Sequence, residues 1–261
     1  MLKRVESLIN NSPFYNIIRF NPISDLIIET KTRKTKKAIT FYSSFLNPEF
    51  SNKLIYDIGA NKGNKVNAFL KMGFNVIAVE PERKAISTLK WRYGKNKKVT
   101  ILENGVSDKE SILTIHIAAN RSGLNTVSTK WVESLEKEKT NRWQKKHAFK
   151  KEYEIKTITL DQLFQSYGIP YFIKIDVEGY EKNVIKGMNS LPSFISFETN
   201  LPEFREETIE CIQLLTALSD KIMFNYSISD KLEMDHWVPG SEMIETIKTQ
   251  GLRYMEIICK S

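Results

Sequence analysis

Five short apolar runs in the sequence end in carboxylate or amide side chains. Leu54–Tyr56 leads into Asp57-Ile58-Gly59-Ala60-Asn61-Lys62-Gly63, and Asn75–Val79 leads into Glu80-Pro81. Val99–Leu102 leads into Glu103-Asn104-Gly105, Tyr171–Ile175 into Asp176-Val177-Glu178-Gly179, and Phe194–Phe197 into Glu198-Thr199-Asn200. Gly59 and Gly63 allow a backbone loop to approach a ligand closely. Asp57 and Glu80, 23 residues apart, place one acid under that loop and one at the neighbouring strand end, where an acid accepts hydrogen bonds from ribose hydroxyls. An acid ahead of the first glycine suits a cation and opposes a pyrophosphate. S-adenosylmethionine, with an ammonium and a sulfonium beside its ribose, meets both conditions. The first loop lacks the G-x-G-x-x-G spacing of a nicotinamide-dinucleotide enzyme.

The same strand ends hold groups suited to methyl transfer. A hydroxyl acceptor must lie in line with the methyl group and must have somewhere for its proton to go. Residues two apart on an extended chain point to one side, so a strand continuing through Glu178 puts Lys174, Asp176 and Glu178 on one face. One of the two carboxylates then serves as base and Lys174 as its electrostatic partner; the alternative is an ion pair that only stabilises the strand end. Asp176, Glu198 and Asn200 offer three oxygen ligands of the kind Mg²⁺ accepts, which makes that ion a second candidate cofactor. Cys211 and Cys259 stand far apart, with no CxxC pair and no His at ligand spacing, and fit a reducing, cytoplasmic setting.

The elements that must position these residues follow from periodicity. From Leu54 onward, short apolar runs alternate with helical periods, the pattern of βαβ units around a parallel sheet. Pro81 suits the first turn of a helix through Tyr93, and Thr159-Leu160-Asp161-Gln162 has the spacing of a capping box that opens a helix to Tyr167. Ile112–Ile117 alternates and predicts an edge strand, and Glu154–Ile158 predicts another strand. Residues 1–50 read as an N-terminal helical extension, 51–261 as the catalytic domain, and 118–151 as a basic insertion within it.

Several strings together resemble a known family. Tyr-Asp-Ile-Gly-Ala-Asn-Lys-Gly at 56–63, Val-Glu-Pro at 79–81, Asn104–Asp108, Thr159-Leu160-Asp161 and Ile-Lys-Ile-Asp-Val-Glu-Gly-Tyr-Glu at 173–181 resemble the FkbM family of class I methyltransferases, in that family's order. The resemblance implies an α/β fold with a Rossmann-like, doubly wound seven-stranded sheet. Its final antiparallel hairpin would come from the runs at 222–228 and 254–258. It also implies S-adenosylmethionine-dependent O-methylation, commonly of a hydroxyl on a natural product or sugar. Carried over, Asp57, Gly59, Asn61 and Gly63 cradle the methionine part, Glu80 the ribose, and Asn104-Gly105 the adenine edge, with Ala60, Pro81 and Asp176 completing the cofactor set. The family more often has Ala where this chain has Gly105.

The 261 residues carry a formal charge of +8, with 41% hydrophobic residues, enough for a packed core. Lys31–Lys37 contributes +5 and Lys137–Lys151 +6, which leaves about −3 for the rest. The two segments predict docking elements for an anionic acceptor, such as a glycan or phosphate-bearing carrier, against the alternative of a solvated helix face. Nucleic-acid methylation is disfavoured: the chain has Asp-Val-Glu-Gly after its fourth core strand where an amino-methylating enzyme has an Asn/Asp-Pro-Pro-aromatic turn. A non-catalytic S-adenosylmethionine-binding protein is the remaining alternative. No apolar run reaches membrane-spanning length.

Overall fold

The computed structural model describes residues 12, 14–20, 29–137, 147–249 and 251–261. In chain order the first half contains α1 (Tyr15–Phe20), α2 (Glu29–Tyr42), β1 (Leu54–Ile58), α3 (Asn64–Lys71), β2 (Asn75–Val79), α4 (Arg83–Tyr93), β3 (Val99–Leu102), β4 (Gly105–Val106), β5 (Ser111–Ile117) and α5 (Thr129–Glu136). The second half contains β6 (Lys151–Ile158), α6 (Leu160–Tyr167), β7 (Phe172–Ile175), α7 (Glu181–Lys186), β8 (Phe194–Asn200), α8 (Arg205–Leu218), β9 (Met223–Ser227), β10 (Val238–Pro239), α9 (Gly240–Thr249) and β11 (Tyr254–Lys260).

The main sheet runs β10-β9-β11-β8-β7-β1-β2-β3. β1, β2, β3, β7 and β8 are parallel, while β11 is inserted antiparallel between β8 and β9. Seven strands were expected; the eighth, β10, is two residues long and covers the outer edge of β9. The runs at 222–228 and 254–258 do supply the antiparallel pair. Both faces of the sheet are covered, which leaves β7 buried at every residue and β2 at all but its first. Leu160, Val184, Ile212 and Met243 pack on one face from α6, α7, α8 and α9. Phe41, Phe69 and Leu89 pack on the other from α2, α3 and α4.

Two local expectations change. Ile112–Ile117 does not extend the main sheet: β5 pairs antiparallel with β6, and β6 pairs in parallel with β4, forming a separate three-stranded sheet. Its strands bury only alternate residues, which suits a small sheet with one wet face. Pro81 also falls outside the helix, two residues before its first residue. The helix starts at Arg83, capped by Glu82, which accepts from the amides of Lys84 at 2.9 Å and Ala85 at 2.6 Å. The capping box holds as spaced, with Gln162 N donating to Thr159 Oγ1 at 3.1 Å and Thr159 N donating to Gln162 Oε1 at 2.9 Å.

The first part of the 118–151 insertion turns back on β5, with Thr126 bridging to His116, and then forms α5. Trp131 of α5 is buried against Phe204, with ring centroids 5.5 Å apart, so this Trp is core and offers nothing to a nucleic acid. Lys139, Arg142, Trp143, Lys145 and Lys146, part of the expected basic segment, lie outside the described residues. Among the described residues, no helix is long and apolar enough to cross a membrane.

Candidate active site

The parallel strands bring their carboxyl ends together, and the loop after β1 folds over them. Gly59 N and Ala60 N both donate to Val79 O, at 2.9 and 3.1 Å, and Asp176 N donates to Ile58 O at 2.9 Å. These bonds draw the ends of β1 and β7 so close that a Cβ on Gly59 would lie 1.8 Å from Asp176 O, and Gly59 has φ +84°. Gly63, at φ +73°, packs on α4: its Cβ would lie 2.5 Å from the Tyr93 ring, whose hydroxyl donates to Gly63 O at 2.8 Å. Both glycines are thus required by contacts within the protein, and Gly59 also lines the cleft above the loop.

Above the loop lies a cleft enclosing about 720 Å³, part of it open to solvent. Of the expected site residues, Gly59, Asn61, Glu80, Pro81, Asn104, Gly105, Asp176 and Glu178 line it. Glu80 is buried, and its two oxygens accept from Asn61 N and Glu82 N, each at 2.7 Å. Burial pushes its pKa up to about 7, although the two amides favour the charged form. Asn61 Oδ1 is buried with no hydrogen-bond partner among the described residues.

Four expected residues do not line the cleft. Ala60 and Gly63 face the protein interior, and Asp57 and Lys174 lie behind the loop, each 2% exposed and side by side in the β1–β7 register. Lys174 Nζ is 2.6 Å from Asp176 Oδ2 and 4.0 Å from Glu198 Oε1. Burial opposes the lysine's charge, yet Asp176, Glu198, Glu256 and Asp57 around it hold its pKa above the ordinary lysine value. Burial likewise pushes Asp57 up to about 6 and Glu198 up to about 8, with Asp176 adding repulsion in both cases.

This arrangement corrects two readings. β7 ends at Ile175, and Glu178 has φ +54°, so Lys174, Asp176 and Glu178 do not share a strand face. Lys174 and Asp176 meet, while Glu178 turns across the cleft toward Gly123 and Asn61. The Mg²⁺ reading of Asp176, Glu198 and Asn200 does not fit either: the Lys174 ammonium occupies the space between the two carboxylates where a cation would sit. Among the described residues, no three His, Cys, Asp or Glu side chains converge as a metal-holding group.

Further residues line the cleft. Ile115, Ile155 and Thr157 of the small sheet line one side, residues of the Ser122–Val127 segment another, and Tyr180, its hydroxyl 3.3 Å from Ser107 Oγ, also lines the cleft. Thr126 Oγ1 donates to Glu178 O at 2.8 Å and ties the second wall to the β7 loop. Glu181 is buried beneath that loop and accepts from the amides of Val177 at 3.2 Å and Gly179 at 3.3 Å; burial raises it to about 7. It closes the 173–181 string that carries the family resemblance, which assigns it no role.

A doubly wound sheet with the reversed strand β11 between β8 and β9, a glycine loop after β1 and a buried acid ending β2 define an S-adenosylmethionine-dependent methyltransferase of class I. The chain belongs to the FkbM family: the description Methyltransferase FkbM domain matches residues 57–225. Among curated proteins no sequence matches significantly. Solved structures of similar fold include precorrin-6y C5,15-methyltransferase from Geobacter metallireducens GS-15, 10% identical over 86% of each chain, TM-score 0.43. The plantazolicin methyltransferase BpumL, in complex with a monoazolic desmethylPZN analog and SAH, is 10% identical over 100% of this chain and 99% of its own, TM-score 0.45. The ribosomal protein L11 methylase from Lactobacillus delbrueckii subsp. bulgaricus is 10% identical over 87% of this chain and 78% of its own, TM-score 0.41. Likeness at this level carries no argument about the acceptor.

Proposed function

We propose that this methyltransferase acts on oxygen, transferring the methyl group to a hydroxyl of a small molecule, sugar or glycan. The observation that supports this most is Asp176, a carboxylate on the cleft wall held at 2.6 Å by a buried lysine. In this reading Glu80 accepts from the ribose hydroxyls, Gly59 and Asn61 border the methionine part, and Asn104 and Gly105 border the adenine. Asp57 acts from behind the loop as a buried charge. The cofactor, when bound, supplies an electrophilic methyl group. Asp176 receives the proton leaving the acceptor hydroxyl, and Lys174, in contact with its Oδ2, holds the carboxylate in place. Glu178, anchored through its carbonyl by Thr126, borders the acceptor.

We place the enzyme in the cytoplasm, where the buried, unbridged Cys211 and Cys259 stay reduced. Residues 1–50 are proposed as an extension of the 51–261 methyltransferase domain, and Lys150 and Lys151, both exposed, as the described part of an acceptor-docking segment. The test pairs two variants against a panel of hydroxylated acceptors with methyl-labelled cofactor. Asp176→Asn is expected to keep S-adenosylhomocysteine binding and lose about 10²-fold or more in turnover, whereas Glu80→Gln weakens cofactor binding. Label recovered on nitrogen or carbon, or an Asp176→Asn enzyme of full activity, would overturn the reading.

A further inference from the structure

Among the described side chains, the helices over one face of the sheet expose cations and no acid. The described side chains of α2, α3 and α4 include no Asp or Glu. Arg33, Lys34, Lys36 and Lys37 of α2 are exposed, as are Lys71 of α3 and Lys84 and Lys90 of α4. Lys95, Lys97 and Lys98 continue the exposed basic surface beyond α4. Of the acids near these helices in sequence, Asp57, Glu80 and Glu82 are buried, while Glu49 and Glu103 are exposed. Lys90 pairs with Glu103, and Lys37 lies 3.9 Å from Asp230. The others have no acid within ion-pair distance among the described residues.

Large apolar side chains stand on the same layer. Thr88 Oγ1 donates to Asn16 Oδ1 at 2.9 Å, and the Arg121 guanidinium lies 4.0 Å from the Tyr15 ring, so α1 is held against α4. On α1, Tyr15 is buried, while Phe14 just ahead of the helix is 62% exposed and Ile17 57% exposed. Lys84, Thr88 and Trp91 recur at helical spacing along one face of α4, and Lys95 follows just past its C-terminal end. Thr88 is the contact with α1, so Trp91, 46% exposed, projects one turn further on, between Lys84 and Lys95. Single exposed apolar residues are ordinary, but three large ones on adjoining helices within a field of lysines form a pattern.

We infer that this layer docks the enzyme peripherally on an anionic lipid surface, with Phe14, Ile17 and Trp91 entering the headgroup boundary and the lysines facing lipid phosphates. A membrane uses both halves of the pattern. Lysines near an anionic leaflet gain electrostatic attraction, and an aromatic ring with a polar tip sits well at the boundary between headgroup and chain. A nucleic acid would use the cations and Trp91 but leave Ile17 and Phe14 in water.

The test is co-sedimentation of the full chain with phosphatidylcholine vesicles, with and without phosphatidylserine, at low and high salt. Binding is expected only with phosphatidylserine and is expected to weaken with salt. Lys84→Glu with Lys95→Glu should weaken it at least about tenfold, and Trp91→Ser about fivefold. S-adenosylhomocysteine affinity, read by calorimetry, should stay unchanged in each variant and show that it is folded. If Trp91→Ser fails that check, Phe14→Ser with Ile17→Ser takes its place. No binding to phosphatidylserine vesicles, or equal binding by wild type and variants, overturns the inference. Affinity for duplex RNA that falls in the same variants, with no vesicle binding, overturns it in favour of a nucleic-acid surface.

Discussion

Lys174 is the residue on which the chemistry of the strand ends turns. It is 2% exposed, and its ammonium faces Asp176 and Glu198 directly, with Asp57 and Glu256 close enough to add to the field. A buried ion pair is a weak source of net stability, but removing one partner leaves the other charges uncompensated. Lys174→Met is therefore expected to cost about 3–5 kcal/mol in urea unfolding. The cost should be larger near pH 8 than near pH 6, because Asp57 and Glu198 ionise between those values. Adding Asp57→Asn, which removes one facing charge, should recover part of the loss. A single-variant cost below about 1 kcal/mol, the range of exposed pairs, would show that the ammonium is solvated.

At the scale of elements, the cleft depends on a wall that the family motifs do not cover. Ser122–Val127 stands across from Glu178, and its attachment is the buried Thr126, whose hydroxyl donates to Glu178 O and accepts from Ser128 N at 2.9 Å. Thr126→Val leaves a carbonyl and an amide without that partner, so a stability loss of about 1–3 kcal/mol is expected. Weaker S-adenosylhomocysteine binding should accompany it, measured by calorimetry; unchanged affinity would show that this wall does not shape the cofactor's side of the cleft. The sequence told much about the other wall and little about this one. Asp57, Glu80, Asn104 and Asp176 were legible because a strand's apolar run announces its own end, and ligands gather at strand ends. Ile115, Ile155 and Thr157 were not, because alternation shows which residues share a face but not which sheet the strand joins. Gly63 was legible as a glycine and misread in purpose, since its neighbour Tyr93 is 30 residues away. Lys174 and Glu178 were placed together on the premise that β7 continued; the strand stops at Ile175, and Glu178 turns away.

At the scale of the whole molecule, folding sorts the charge. The average of about −3 outside the two basic segments hides lysines on the outer face of α4 and acids drawn into the interior at the strand ends. Those acids set a pH dependence. Folding raises Asp57 to about 6, Glu80 and Glu181 to about 7, and Glu198 to about 8. An acid whose pKa is raised by folding binds its proton more tightly in the folded chain, so between its ordinary value and its folded value the folded state holds more protons. Stability then falls as pH rises through that window, from roughly 4 to 8, and levels off above it. The cofactor should oppose the trend. Ribose hydroxyls favour ionised Glu80, and a sulfonium near the strand ends favours ionised acids there, so binding should release protons and tighten as pH rises from about 6 to 8. S-adenosylhomocysteine, without the sulfonium charge, should show a smaller rise. Thermal unfolding across this range, with calorimetry in buffers of different ionisation enthalpy, measures both effects. A free enzyme that grows more stable toward pH 8, or cofactor binding without proton release, would mean that these acids are already ionised in the folded chain.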